Sequence, residues 1–257
     1  WVIEACRDYL MESTNASRWG SAPISFGISG QILDEATAEQ LTSSGFMIVG
    51  DKLSEAPDGL ILATRDGASM EKGVADTSLI ESAEVDTLVS IYWRARIDDL
   101  RVREDKDAIA WLEDQPLWFT TWGEWNLHRI AGQSTVASIE GSQITSNSQP
   151  SSSWSVPGTI RLQFDAEVSG IYDSSGEPYP VIPPDVRKLQ VGWRQIEGGI
   201  LLTQAPGSIL TIGLESEPDT FHSTPVMTFN NHHHAVTVVG HHTTNLFQWT
   251  ADFVNSE

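Results

Sequence analysis

Residues 87–97 alternate between apolar and polar positions. Val89, Ile91, Trp93, Ala95 and Ile97 fall on one face of an extended strand, with Ser90, Tyr92, Arg94 and Arg96 on the other. Successive side chains in a strand point to opposite faces, so this run predicts a half-buried strand. The alternation returns at Ile160, Leu162, Phe164, Ala166 and Val168, and again at Phe247, Trp249, Ala251 and Phe253. Strands of this kind spread over the whole chain predict a mainly β protein, an antiparallel β-sandwich or jelly roll with a few short helices.

The shorter patterns fill in the rest. Val2, Cys6, Tyr9 and Leu10 share one helical face, which predicts an amphipathic helix ending near Ser13-Thr14-Asn15, with Cys6 as a small apolar residue on it. Ile24, Phe26 and Ile28 alternate as a strand. Asp34 is placed to cap a second helix running to about Leu41. Gly45–Gly50 and Gly59–Thr64 read as two buried strands, separated by the turn signal Ala56-Pro57-Asp58-Gly59. Leu117–Trp125 reads as an aromatic strand, and the serine-rich stretch 146–153 as a loop or linker. Further strands are predicted near 158–168, 188–196, 199–204, 208–213, 226–230, 235–239 and 246–254. Short strands at this spacing fit a sandwich or barrel better than βαβ units. Two organisations stay open. One has a β-rich, shell-like domain over 1–97, a charged hinge over 98–115 and a second β-sandwich region over 116–257. The other is a single elaborated jelly roll over 1–257.

Charge narrows the function. The net charge is −20, from 35 acidic and 15 basic residues. Nucleic-acid binding rests on Lys and Arg neutralising phosphates, so no direct nucleic-acid contact is expected from this segment. Charge of this size opposes association of identical copies unless cations or buried contacts compensate. No apolar run approaches the roughly 20 residues of a spanning helix, so no membrane span is expected. The single Cys6 excludes an intrachain disulfide. The chain starts at Trp1 and not at Met, which reads as a processed or trimmed product with any leader or N-terminal arm out of sight.

Candidate chemistry is sparse. Six of the seven histidines lie between His222 and His242. His232 and His234 sit two apart in an extended segment, where both can face one metal ion such as Zn²⁺ or Cu²⁺. The strand 235–239 separates the 232–234 triplet from His241 and His242 by about 25 Å, too far for one mononuclear site. The alternative is polar loop residues or subunit contacts. Glu124, flanked by Trp122 and Trp125, has the setting of a general acid beside sugar-stacking rings, against a core-strand reading. The acidic run that contains Asp98, Asp99, Asp105 and Asp107 supplies oxygen ligands for Ca²⁺, against a solvated, salt-bridged connection. No Gly-x-Ser-x-Gly elbow, His-Glu-x-x-His or phosphate-binding Gly-rich loop is present, and no catalytic residue is assigned.

Glu84–Ile97, the charged run after it and the closing segment Asn245–Val254 together resemble the coat proteins of small icosahedral RNA viruses, of the tombusvirus-like type with jelly-roll shells. The resemblance implies a structural capsid subunit, not an enzyme, found in the virion and assembled in the host cytoplasm. Its partners would be copies of itself and a host receptor, with Ca²⁺ at subunit interfaces held by Asp98, Asp99, Asp105 and Asp107. Two competitors remain. One is a secreted or surface carbohydrate-binding or carbohydrate-active β-sandwich using Trp122 and Glu124. The other is a cupin-like metal-dependent enzyme using His232 and His234.

Overall fold

The computed structural model describes residues 2–13, 17–28, 32–51, 53–64, 78–95, 110–243 and 248–252. The chain is mainly β, with four sheets and short helices. Its internal contacts divide it into two compact units. The first comprises 1–123 together with 234–257, and the second is the continuous stretch 124–233.

In the first unit, α1 (Val2–Ser13) is followed by β1 (Ser25–Ile28), α2 (Glu35–Ser43), β2 (Ile48–Asp51) and β3 (Ile61–Thr64). β1, β2 and β3 pair in that order, and both pairings are parallel. This corrects the expectation of an antiparallel fold without βαβ units. Parallel neighbours need a crossover, and β1-α2-β2 is one, built on the helix that Asp34 starts. Both faces of the sheet are covered, as parallel sheets require. Val49 lies in one cluster with Ala38 and Leu41 of α2, and Ile48 in another with Ala63 and Trp122.

Asp34 caps α2 as expected, accepting from Thr37 N (2.9 Å) and Thr37 Oγ1 (2.7 Å). These bonds hold its carboxyl below the usual 3.8. The folded form therefore binds its proton less readily than the unfolded chain does. Its contribution to stability is complete above the ordinary value and is lost as pH falls through the lower folded one. Asp34→Ala is expected to flatten the acid limb of a stability-against-pH curve while leaving the rest of its shape unchanged.

α1 forms where its pattern places it, but the orientation differs. Val2, Cys6, Tyr9 and Leu10 are exposed, and Ile3 from the neighbouring face packs against the α2 cluster. Cys6 is thus a surface residue and not a buried apolar one.

The remaining strands of this unit are β4 (Thr87–Ala95), β5 (Leu117–Phe119), β14 (His234–Thr243) and β15 (Gln248–Asp252), with a short helix α3 (Ser78–Glu81) before β4. β14 runs parallel to β4, His234 opposite Thr87, and parallel to β5, His234 opposite Leu117. β15 returns antiparallel along β14. Val89, Leu112, Leu117 and Val236 meet Ile80 in one core cluster.

The second unit holds eight strands: β6 (Thr135–Glu140), β7 (Gln143–Ser148), β8 (Gly158–Phe164), β9 (Val168–Asp173), β10 (Gly192–Ile196), β11 (Gly199–Gln204), β12 (Ile209–Leu214) and β13 (Phe221–Val226). They form two antiparallel sheets of four, ordered β10-β11-β8-β13 and β6-β7-β12-β9. Both sheets feed one core. Ile160, Leu162, Ile200 and Leu202 come from the first, and Ile144, Ile171, Leu210 and Ile212 from the second. Pro225, which has no N–H to donate, sits in β13 at the end of its sheet, where an edge strand tolerates it.

Residues 146–148 end strand β7 and are not a linker. Ser146 and Ser148 point inward, at 0% and 1% exposure. Ser146 Oγ donates to Gln204 Oε1 (2.6 Å), while Gln204 Nε2 donates to the carbonyls of Ser146 (3.2 Å) and Ser208 (2.8 Å). This network ties β11 of one sheet to β7 of the other. Gln204→Leu keeps the volume and removes every one of those bonds in a dry setting. An expected loss of about 2 kcal/mol follows from groups left without partners, and urea unfolding of the full chain measures it.

Candidate functional site

The aromatic run splits in two. β5 stops at Phe119, and α4 (Trp122–Gln133) begins three residues later. Buried positions at Trp122, Asn126, Leu127 and Ala131 follow a helical spacing, which overrides the strand reading of 117–125. Trp122 is 6% exposed and its Nε1 donates to Ser90 Oγ (2.8 Å), so its face is packed into protein and is no sugar platform. Glu124 lies half-buried in the first turn of α4, a favourable place for a carboxylate at the positive end of the helix dipole. On the same helix Arg129 sits over the Trp125 ring (5.6 Å) and donates to Asn126 Oδ1 (3.0 Å).

The two candidate metal histidines are each turned to a backbone carbonyl of their own unit. His232 Nδ1 donates to the Phe229 carbonyl, and His234 Nδ1 donates to the Glu84 carbonyl (3.0 Å). Both are buried, at 8% exposure. Burial pushes the His232 pKa down; the bond to Phe229 partly opposes this, and Arg187, Arg194 and His233 add to it. His232 is therefore neutral at pH 7. Among the described residues, no group of three or more His, Cys, Asp and Glu side chains is set to hold a metal ion. Asp98, Asp99, Asp105 and Asp107 lie outside the described residues, as do the side chains of His241 and His242.

Two places gather unexpected features. An open groove of about 640 Å³ runs beside α2, with Leu33, Ala38 and Pro57 as apolar lining and Glu35, Glu39 and Glu55 as acidic lining. The other place is in the second unit, around Asn230. A 3-10 turn (Phe229–Asn231) follows β13, and Asn230 in it adopts φ 55, a left-handed conformation that asparagine tolerates better than most residues. Its Nδ2 lies within bonding distance of three carbonyls, those of Pro183 (2.9 Å), Pro184 (3.2 Å) and Val186 (2.9 Å). Its own carbonyl accepts from Arg194 Nη2 on β10 (3.1 Å). One residue thus fixes the 183–186 turn, the 229–231 turn and the end of an arginine.

Sequence reading missed this node. Asn230, Arg187 and Arg194 are 7 to 43 positions apart in the chain, and only the fold brings them together. A legible trace is the Phe-Asn-Asn turn, a poor start for the strand expected near 226–230.

No family model, curated protein or solved structure matches the chain.

Proposed function

We propose that the chain is a structural protein that assembles with copies of itself, the shell subunit of an icosahedral particle. The observation that carries this reading is the strand pairing of the second unit. A jelly roll is a ribbon of eight strands, pairing 1 with 8, 2 with 7, 3 with 6 and 4 with 5, and then rolled. With β6–β13 as strands 1 to 8, β7 pairs with β12 and β8 with β11, the two central ribbon pairs. β8 also pairs with β13 and β12 with β9, the contacts that rolling creates. The outer strands depart from the scheme. β6 pairs with β7, and β10 pairs with β11. Their connections are the two-residue loops Gly141-Ser142 and Glu197-Gly198, with Gly141 and Gly198 at positive φ, and so short a loop keeps its strands side by side.

In this reading the second unit is a β-sandwich derived from a jelly roll, inserted in the sequence of the first unit. The negative charge resists premature association, and cations such as Ca²⁺ at the 98–107 run offset it when subunits meet. Host-receptor contact and residence in the virion belong to the same proposal.

Light scattering with electron micrographs of the natural material tests it. Uniform megadalton particles that loosen on chelation of divalent cations are the expected result. A monomer or small oligomer under the same conditions overturns it.

A further inference from the structure

Asn230 holds the guanidinium of Arg194 and fixes the backbone turn that leads into Arg187. Its side chain clamps the turn that ends one residue before Arg187, and its carbonyl holds Arg194 Nη2. A third arginine shares the sheet face. Arg194 on β10, Leu201 on β11 and Arg161 on β8 occupy one line of register, so their side chains leave the same side of the sheet. Two strand spacings put the backbones of Arg194 and Arg161 about 10 Å apart, within reach of two long side chains meeting over Leu201.

The electrostatics agree with that convergence. Arg187, Arg194 and His233 all act on the His232 ring, and Arg161 acts on Arg194; every charged group among them is basic. This happens in a chain with 35 acidic and 15 basic residues. Like charges gathered in a partly shielded place repel, and an anion seated among them reverses the sign of the interaction. Arg194 Nε is shielded from solvent and meets no acceptor, which leaves a donor beside the Nη2 that Asn230 orients. A guanidinium edge of this kind matches the oxygens of a carboxylate or a phosphate.

We propose that Arg194, held by Asn230, and Arg187, which follows the turn that Asn230 fixes, form with the added charge of Arg161 a binding site for an oxyanion, the phosphate or carboxylate group of a ligand. The site belongs to a single copy of the second unit and does not depend on assembly into a shell.

Calorimetric titration of the full chain with inorganic phosphate, and separately with acetate, tests it at constant pH and ionic strength against sodium chloride. Saturable binding of at least one of the two is expected in the native chain. Arg187→Ala and Arg194→Gln are each expected to weaken it about tenfold or more, the worth of one charge-assisted hydrogen bond. Lys188→Ala, which removes the same charge from the neighbouring position, is expected to leave binding unchanged. Phosphate binding alone supports the site with a phosphate-bearing ligand, acetate binding alone supports it with a carboxylate, and binding of both supports a site for oxyanions of either kind. No saturable binding of either anion overturns the proposal, and so does an equal loss in Lys188→Ala and Arg187→Ala.

Discussion

Replacing Trp122 by alanine is expected to lower the stability of the chain by about 4 kcal/mol, within the range for emptying a tryptophan site in a core. The ring packs with Ile48 and Ala63, and with Met47, Ile61 and Leu88 at the margin of that cluster. It also lies against the backbone of β2. A Cβ on Gly50 would stand 2.8 Å from two of its carbons, so glycine is what allows the indole to approach. The substitution removes the packing and the bond from Nε1 to Ser90 Oγ together. Such a loss is a large part of the 5–15 kcal/mol that holds a typical domain together. Chemical unfolding followed through a probe in the first unit measures it, and a change below about 1 kcal/mol would contradict the packing described.

Gly158→Ala should cost about 3 kcal/mol by the opposite route, overfilling instead of emptying. Gly158 opens β8 and Gly132 lies near the end of α4. A Cβ on Gly158 would overlap the Gly132 nitrogen and the Ala131 carbonyl carbon, and one on Gly132 would stand 2.8 Å from the Thr159 carbonyl oxygen. Backbone meets backbone, so no side chain can swing aside, and the helix must lift from the strand. His128 Nδ1, which donates to the Pro157 carbonyl at 2.7 Å, would be drawn away with it. Gly176→Ala provides the comparison. Its φ of 85 strains any other residue, but nothing lies within 4 Å, so it should cost only about 1 kcal/mol. Equal effects in the two variants would mean that contact between helix and strand is not what makes Gly158 necessary.

How far the sequence could be read depended on what filled each inward position. β8 and β11 were legible because Ile160, Leu162, Ile200 and Leu202 put hydrocarbon at alternate places. β7 was not, because its inward positions after Ile144 are Ser146 and Ser148, and the partner that makes Ser146 buriable, Gln204, is 58 residues away. The cap at Asp34 was legible since its partner is three residues on. Parallel pairing of β1, β2 and β3 was not, because strand direction depends on the path of the connection and not on the strands themselves. The same limit applies to sites. His232 and His234 stood out as a local pattern, yet each ring is directed by a carbonyl that the pattern does not contain. The Asn230 node has no local pattern beyond its turn.

The pairing of β4 with β14 sets an order of events during synthesis. Thr87 faces His234 across 147 positions, and the whole second unit is encoded between them. At roughly 5–20 residues per second, β4 leaves the ribosome about 7–30 s before its partner. Among the described residues β4 has no other neighbour in its sheet, so both of its edges stay open for that interval. The intervening unit is made during that interval, its last strand, β13, emerging only about a second before β14. Its folding contracts a long closing loop and lowers the entropy cost of the last step. The sheet of β4, β14 and β15 is thus completed late although β4 is made early, while the pairing of β1, β2 and β3 waits for nothing that follows them.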